Sequence, residues 1–136
     1  VFNLYARSRS EGFGPEVKRR IIMGTYVLSS GYSDAYYVRA SKVRTLIRRD
    51  FEQVFQKVDA LISPVSPTAA FKLDAVQDPL TIPGSLAGNC SLSVPMGFTN
   101  PTADAPALPV GVQFICDGYC EDKLLRIAKA YEDLRS

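Results

Sequence analysis

The sequence predicts an α/β chain in which amphipathic helices are interspersed with three short strands. The strongest helical pattern lies over residues 36–58, where apolar side chains recur every three or four positions on one face. Strands are predicted over 59–64, 91–95 and 109–116, because short apolar runs there are bounded by proline or by turn residues. Three strands make a small sheet for the helices present, so we expect further strands from outside this sequence.

Length and composition limit the classes of function. The 136 residues suffice for a single domain over 1–136, and a hydrophobic content of 46% allows a core. A net charge of +2 does not indicate a nucleic-acid or membrane partner, and no apolar run is long enough to span a bilayer. Because the sequence begins with Val1 and the sheet is small, we expect an incomplete domain of a longer protein.

The sequence contains three cysteines and no histidine. Cys90, Cys116 and Cys120 are an odd number without the spacing of a disulfide framework. Cys116 and Cys120 lie four residues apart, but no second pair completes a zinc site. We therefore expect free thiols in a reducing cytosol, and no metal or other cofactor held by this chain.

The first clear element is a helix over about residues 15–30. Residues 1–14 mix charge, serine and glycine, and they predict a strand or a helix end followed by a loop. Pro15 suits the first helical position, where its missing N–H is not needed. Gly31 is typical of the residue that follows the end of a helix.

Arg20 lies on the apolar side of this helix. At about 100° per residue, Val17, Ile21, Gly24 and Leu28 share one face, and Arg20 falls within the same arc. A guanidinium in an apolar stripe requires a carboxylate, a row of carbonyls or an anionic ligand. From the residues alone, a structural ion pair is favoured over a binding role.

A second helix is predicted to begin at a cap formed by Ser33 or Asp34 and to continue to about Val58. The face opposite its apolar stripe is basic and carries Arg39, Lys42, Arg44, Arg48 and Arg49. We interpret this charge run as a solvated helix face rather than an RNA-binding surface.

Shorter elements fill the second half of the chain. Residues 64–77 predict a loop, and Asp78 is placed to cap a short helix that ends at 86–88. The remaining predicted elements are a strand over 91–95, a turn over 100–106, a strand over 109–116 and a terminal helix over 121–134. We expect the two strands to pair.

No catalytic motif is evident from the residues alone. No serine lies in a Gly-x-Ser-x-Gly turn, and no glycine-rich phosphate loop occurs. The lysines lie mostly on predicted solvent faces, where a lysine keeps its high pKa. At this level the sequence indicates an α/β domain with one candidate binding residue, Arg20.

A family pattern runs through nearly the whole chain. Its pieces are EGFGPEVKRRI at 11–21, GTY at 24–26, LSSGY at 28–32, DAYY at 34–37, KVRTLI at 42–47, LAG at 86–88, SVP at 93–95 and LPVGVQ at 108–113. Together they resemble the A subunits of the glutamyl-tRNA(Gln)/aspartyl-tRNA(Asn) amidotransferases, within the amidase signature family. The first piece is specific to these subunits, whereas LAG, SVP and LPVG, near the end of the chain, are shared widely across amidases.

The resemblance implies a large α/β/α fold with a mixed central sheet, of which this chain is the C-terminal part. It implies an A subunit that hydrolyses glutamine and passes ammonia to a partner that amidates Glu-tRNA(Gln) or Asp-tRNA(Asn). The implied partners are the B and C subunits, with tRNA bound through the complex, ATP and magnesium used by the partner subunit, and a cytoplasmic or organellar location. The family's Ser-Ser-Lys triad lies in an N-terminal signature that no segment here resembles, so we expect this chain alone to be inactive.

The resemblance also assigns a substrate site. In the family, an arginine of the Lys-Arg-Arg stretch binds the glutamine α-carboxylate, and Arg20 fits that role. An aspartate before the Leu-Ala-Gly helix binds the α-ammonium, and Asp78 fits by ungapped spacing. The loop between Phe71 and Asp78 is shorter than in the family, so Asp78 also matches an earlier Asp-Pro-Leu stretch. Cys90 stands where the family has a hydrophobic-Pro-small step, and it has no assigned role.

Two other functions stay open at this level. The chain is also compatible with a fragment of another amidase-signature hydrolase, or with a catalytically inert scaffold or assembly domain. An unpaired strand edge would allow the isolated chain to associate with itself. The choice between the Gln and the Asn pathway is not made by these residues.

Overall fold

The computed structural model describes residues 1–29, 31–71, 79–102 and 106–135. The chain forms two compact units, Val1–Val43 and Arg44–Ser136. Their elements, in chain order, are α1 (Phe2–Gly12), α2 (Pro15–Val27), a π-helix (Ser33–Val38), α3 (Arg39–Phe55), β1 (Leu61–Pro64), α4 (Ile82–Ala87), β2 (Cys90–Phe98), β3 (Pro109–Cys116) and α5 (Glu121–Arg135).

The first unit is helical. Its opening segment forms the helix α1, so the prediction of a strand or a helix end followed by a loop was wrong. Helix α2 begins at Pro15 as predicted, but it ends at Val27 with Leu28 as its C-cap, so the predicted end at Gly31 was wrong. Gly31 lies in the turn that follows, where its φ of 86° is in the left-handed region that favours glycine. The next helix begins at Ser33 as a π-helix without a side-chain cap, so the predicted cap at Ser33 or Asp34 was wrong.

Three tyrosines pack together in this unit. The ring centroids of Tyr26 and Tyr32 lie 4.5 Å apart, and those of Tyr32 and Tyr36 lie 6.1 Å apart. This aromatic packing spans the turn at Gly31, where the chain passes from α2 to the π-helix. No described residue of α1, α2 or the π-helix is buried.

The second unit contains a three-stranded antiparallel sheet in the order β1-β3-β2. The predicted strand pairing is confirmed: β2 and β3 align from Cys90 opposite Cys116 to Phe98 opposite Pro109, with a register shift between Pro95 and Gly97. Strand β1 pairs with the other edge of β3, so β3 is the central strand. The sequence predicted the bounds of β3 correctly, whereas β2 is longer than predicted.

A hydrophobic core lies between the sheet and α5. Val94, Val112, Phe114 and Cys116 point from the strands towards Leu124 and Ala128 of α5. The sheet's other face meets α4, where a Cβ on Gly84 would lie 3.3 Å from the Ser91 hydroxyl oxygen and 3.8 Å from the side chain of Ile115. The layers of this unit are therefore α5, sheet and α4, in agreement with the predicted α/β class.

Candidate functional site

Arg20 lies on the exposed surface of α2 in the first unit. Its side chain is 72% exposed, and its Nε donates a hydrogen bond to Glu16 Oε1 at 2.9 Å. Its apolar neighbours on the same face, Val17, Ile21 and Leu28, are also exposed. The structure thus places Arg20 on the face that carries these apolar side chains, as the periodicity predicts, and no described element of the first unit buries it.

Glu16 binds two arginines unequally. Arg19 donates to both carboxylate oxygens, from Nε at 2.8 Å and from Nη2 at 2.7 Å, and its Nη1 lies 3.0 Å from the Met23 sulfur. Arg20, in contrast, uses Nε alone within the described part of the chain. The two terminal nitrogens of Arg20 therefore present a fork suited to a second carboxylate.

Glu16 remains an anion under most conditions. Hydrogen bonds from Arg19 and then Arg20 lower the pKa of its carboxyl group to about 2. An anionic Glu16 fixes the Nε side of the Arg20 guanidinium and leaves the far side directed away from it. Glu16 thus orients the Arg20 guanidinium. The pair supplies no general acid or base for chemistry near neutral pH.

Asp78, the second predicted site residue, lies outside the described residues. The described chain resumes at Pro79 and enters α4 at Ile82, with Thr81 at the N-cap and no side-chain capping bond. The N-cap of this helix is therefore Thr81 rather than the predicted Asp78. The helix ends as predicted, at Gly88, whose φ is 86°.

A buried glutamine that the sequence analysis did not single out fixes the start of this segment. Gln113, on β3, is only 3% exposed. Its Nε2 donates to Ser63 Oγ on β1 and to the carbonyl oxygen of Leu80, both at 3.0 Å. One side chain thus joins two strands to the segment that leads into α4. The available signal was a polar amide within the otherwise apolar strand 109–116.

Helix α4 is also held at its C-terminal end. Arg44, on α3, donates from Nε to the carbonyl oxygen of Leu86 at 2.6 Å. A cation at this end of a helix complements its dipole and satisfies a carbonyl without an intrahelical partner. Arg48 instead pairs with Glu52 at 2.8 Å on the exposed surface of α3. At least one residue of the basic face is therefore structural.

A cavity of about 470 Å³ opens beside the sheet. The loop 64–71 forms one wall, and Ser93, Met96, Val110 and Gly111 belong to the others. None of the described residues that line it carries a charge, so those residues provide no acid, base or ion-pair partner for a substrate.

The described residues contain neither a metal cluster nor a membrane-spanning helix. Among them, no group of three or more His, Cys, Asp or Glu side chains is arranged to hold a metal ion. Within those same ranges, no helix has the length and apolar character needed to cross a membrane.

Comparison with known proteins gives a consistent result. The amidase family model matches residues 1–125. The A subunit of glutamyl-tRNA(Gln) amidotransferase from Synechococcus sp. (strain JA-2-3B'a(2-13)) is 52% identical over 140 residues, covering 97% of this chain and 26% of that protein. The protein of the same name from Nostoc sp. (strain PCC 7120 / SAG 25.82 / UTEX 2576) is 51% identical over 145 residues, covering 100% of this chain and 29% of that protein.

A solved structure agrees with these sequence relatives. The crystal structure of the glutamyl-tRNA(Gln) amidotransferase A subunit from Thermotoga maritima matches with a TM-score of 0.58 and 42% identity, over 90% of this chain and 27% of that chain. This chain therefore spans about a quarter of the length of the relatives it matches. The Nostoc alignment needs 145 positions for a chain of 136 residues, so about nine positions of that relative have no counterpart here.

Proposed function

The chain belongs to the amidase family, and we propose that it is the C-terminal part of the glutamine-hydrolysing A subunit of a tRNA-dependent amidotransferase. The observation that carries this proposal is identity of about 50% with such subunits over almost the whole chain. Of the two pathways, the names of these relatives favour amidation of Glu-tRNA(Gln). The proposed setting is a complex with the B and C subunits in the cytoplasm or an organelle, where the partner subunit uses ATP and magnesium.

Arg20 is the proposed ligand of the glutamine α-carboxylate. Free glutamine is a zwitterion, so a pocket that selects it needs one fixed cation and one fixed anion. The Nε of Arg20 is held by Glu16, and its terminal nitrogens are directed away from that carboxylate. A carboxylate bound across them would receive two parallel N–H···O bonds, the geometry in which arginine binds carboxylates most specifically.

The exposed position of Arg20 would weaken its contact with the glutamine carboxylate. An ion pair between exposed groups contributes little, because water and salt screen it. We propose that the remainder of the A subunit covers the apolar face of α2 and excludes water from Arg20. Covering this face also buries Ile21 and Leu28, which are half or more exposed in this chain.

Asp78 is the proposed ligand of the glutamine α-ammonium. Two observations concern the segment that follows Asp78, and neither concerns the Asp78 side chain. Gln113 fixes Leu80, two residues after Asp78, and Arg44 fixes the far end of α4. The shortened loop between Phe71 and Asp78 leaves a second assignment, in which Asp78 belongs to an earlier Asp-Pro-Leu stretch and the ammonium ligand has been lost.

A fragment of another amide hydrolase is the second candidate, favoured by the match to amidases in general. The two candidates differ in their amide substrate. The first hydrolyses glutamine, whereas another hydrolase prefers an amide that lacks the zwitterionic head. Under both proposals the catalytic triad lies in the N-terminal part of the protein and not in this chain.

Glutamine hydrolysis tests the proposal directly. The 136-residue chain and a full-length A subunit that contains it are assayed for ammonia release from glutamine and from a simple amide such as propionamide. We expect no turnover by the chain alone and a clear preference for glutamine in the full-length protein. Equal or better turnover of the simple amide would favour the second candidate, and robust turnover by the chain alone would contradict both.

A further inference from the structure

Two cysteines face each other at the open end of the β2–β3 hairpin. Cys90 begins β2, Cys116 ends β3, and the two are direct partners in the register of the sheet. Both pack into the apolar cluster beneath α5, so their side chains lie on the same face. Neither residue has a role in the proposed glutamine site.

The backbone spacing of this pair suits a disulfide. Directly opposed residues of antiparallel strands have Cα atoms about 4.5–5.5 Å apart, and disulfides form at Cα separations of about 4.4–6.8 Å. The Cys90 thiol donates to the carbonyl oxygen of Asp117 at 3.0 Å, which places its sulfur beside the residue that follows Cys116. A thiol is a weak donor, so this bond offers little resistance to a change of partner.

The two thiols differ in access to solvent. Cys116 is fully buried, whereas Cys90 is only partly buried. Burial, and then the nearby Cys90 and Cys120, raise the pKa of the Cys116 thiol, while Lys123 lowers it and Asp59 raises it. A dissolved oxidant therefore reaches Cys90 before it reaches Cys116.

We propose that Cys90 and Cys116 are a modification site, at which a hydroperoxide converts the two thiols into an intramolecular disulfide. The peroxide first transfers an oxygen to Cys90 Sγ, giving a sulfenic acid and, from hydrogen peroxide, one water. Cys116 Sγ then attacks Cys90 Sγ; the S–S bond forms, the S–O bond breaks, and the hydroxide leaves as water with the Cys116 proton. Two electrons pass from the thiols to the peroxide, and no other reactant is needed.

Cys120 is the competing partner. It lies at the start of α5, where its carbonyl oxygen accepts a hydrogen bond from the Leu124 N–H at 3.0 Å. A turn containing Tyr119, whose φ is 61°, separates it from Cys116. Cys120 has no strand register that aligns it with either thiol, so the cross-strand pair is the favoured one.

The disulfide would link the two strands at the end of the hairpin where α4 leads into β2 and β3 leads on to α5. Here a Cβ on Gly118 would lie only 3.2 Å from the carbonyl oxygen of Gly88, so the two connecting turns are already in contact. A bond between residues 90 and 116 restricts the unfolded chain more than the native one. Oxidation should therefore raise the midpoint of thermal unfolding.

The test uses the reduced 136-residue chain and the variants Cys90→Ala, Cys116→Ala and Cys120→Ala. Each is treated with hydrogen peroxide, alkylated under denaturing conditions and mapped by mass spectrometry. We expect the oxidised wild type to be about 2 Da lighter before alkylation, to be alkylated only at Cys120 and to yield a peptide linked through Cys90 and Cys116 that dithiothreitol separates. The Cys120→Ala control should yield the same linked peptide with no free thiol left, and its unfolding midpoint should rise on oxidation.

Several results would overturn the proposal. These are a cross-link through Cys120, a disulfide that persists in Cys90→Ala, or oxidation of Cys90 to a sulfenic or sulfinic acid while Cys116 stays free. The Cys90→Ala variant alters a partly buried position at a strand end, so it tests the pairing even if Cys116→Ala does not fold. None of these outcomes depends on glutamine hydrolysis, so they do not affect the proposed function.

Discussion

Helices α2 and α5 have similar amphipathic sequences and opposite environments. On α5, in the second unit, Leu124 is 4% exposed because the sheet covers it. On α2, in the first unit, Ile21 of the apolar face is 50% exposed, and no residue of that helix is buried. Hydrophobic periodicity therefore predicts both helices and their apolar faces, but it does not reveal whether the covering partner lies in the same stretch of chain.

The two units also differ in the role that we expect of each. The second unit has its own core, formed by β2, β3 and α5. The first unit carries Arg20 and the apolar face around it, with no core of its own among the described residues. We expect stability to come from the second unit and the proposed ligand contact from the first.

The largest predicted effect is the loss of a core aromatic ring. Phe114 is 5% exposed and packs edge-on against Tyr131, with ring centroids 5.4 Å apart. Phe114→Ala should lower the free energy of unfolding by about 3–5 kcal/mol, measured by urea denaturation and circular dichroism. The exposed Ile22 of the first unit serves as the control. Ile22→Ala should change the free energy of unfolding by less than about 0.5 kcal/mol. Equal losses would remove the distinction between the units.

Removing the buried amide should have the next largest effect. Gln113→Met keeps a side chain of similar length but leaves the Leu80 carbonyl without its donor. We expect a loss of about 1–3 kcal/mol in the free energy of unfolding. Ser63→Ala is the matched control, because it removes one acceptor and keeps the bond to Leu80. A loss in the control as large as that in Gln113→Met would show that the strand contact, not the bond to Leu80, is what matters.

Two glycine substitutions should act in opposite directions. Gly88 has a φ of 86° with open space around it, so Gly88→Ala should cost about 1 kcal/mol through backbone strain alone. Gly24 lies inside α2, also with open space around it. Gly24→Ala should stabilise α2 by about 0.5–1 kcal/mol and thereby raise the helicity of the first unit. Thermal unfolding measures the first and circular dichroism the second. Effects of the same sign would contradict this account.

The smallest effect concerns pH. The folded-state pKa of Glu16 is about 2, below its ordinary value, because of hydrogen bonds from Arg19 and Arg20. A lowered acid pKa gives stability that is present above the ordinary value of about 4.3 and is lost as pH falls through the folded value. The helicity of α2 should therefore hold down to about pH 5 and decline between about pH 4.5 and 2.

Nuclear magnetic resonance of the Glu16 carboxyl carbon measures this pKa directly. Arg19→Ala should raise the pKa more than Arg20→Ala does, because Arg19 donates two hydrogen bonds and Arg20 donates one. An ordinary pKa in the wild type would mean that the three side chains do not interact in solution.

Local signals account for the parts of the fold that sequence reasoning predicted well. Proline placed the start of α2, glycine placed the end of α4, and alternation with flanking turns gave β3 its bounds. The π-helix was not predicted, because over six residues its side-chain spacing cannot be told from that of an α-helix. The role of Gln113 depends on Ser63 and Leu80, which are distant in sequence and meet only in the folded sheet.

The candidate site was predictable only in part. Helical phase placed Arg20 on the apolar face, but the unequal sharing of Glu16 with Arg19 needed side-chain geometry. The ligand assigned to Arg20 came from family resemblance, and Asp78 lies outside the described residues.

The most direct test compares these neighbouring arginines in a full-length A subunit that contains this chain. Steady-state glutamine hydrolysis is measured for the wild type, for Arg20→Ala and for the matched control Arg19→Ala. Arg20→Ala should raise the KM for glutamine by at least about tenfold, because a charged hydrogen bond contributes about 1.5–3 kcal/mol. Arg19→Ala should leave the KM within about twofold, since Glu16 holds that side chain. An unchanged KM for Arg20→Ala, or equal changes in both variants, would contradict the assignment of Arg20 to the glutamine carboxylate.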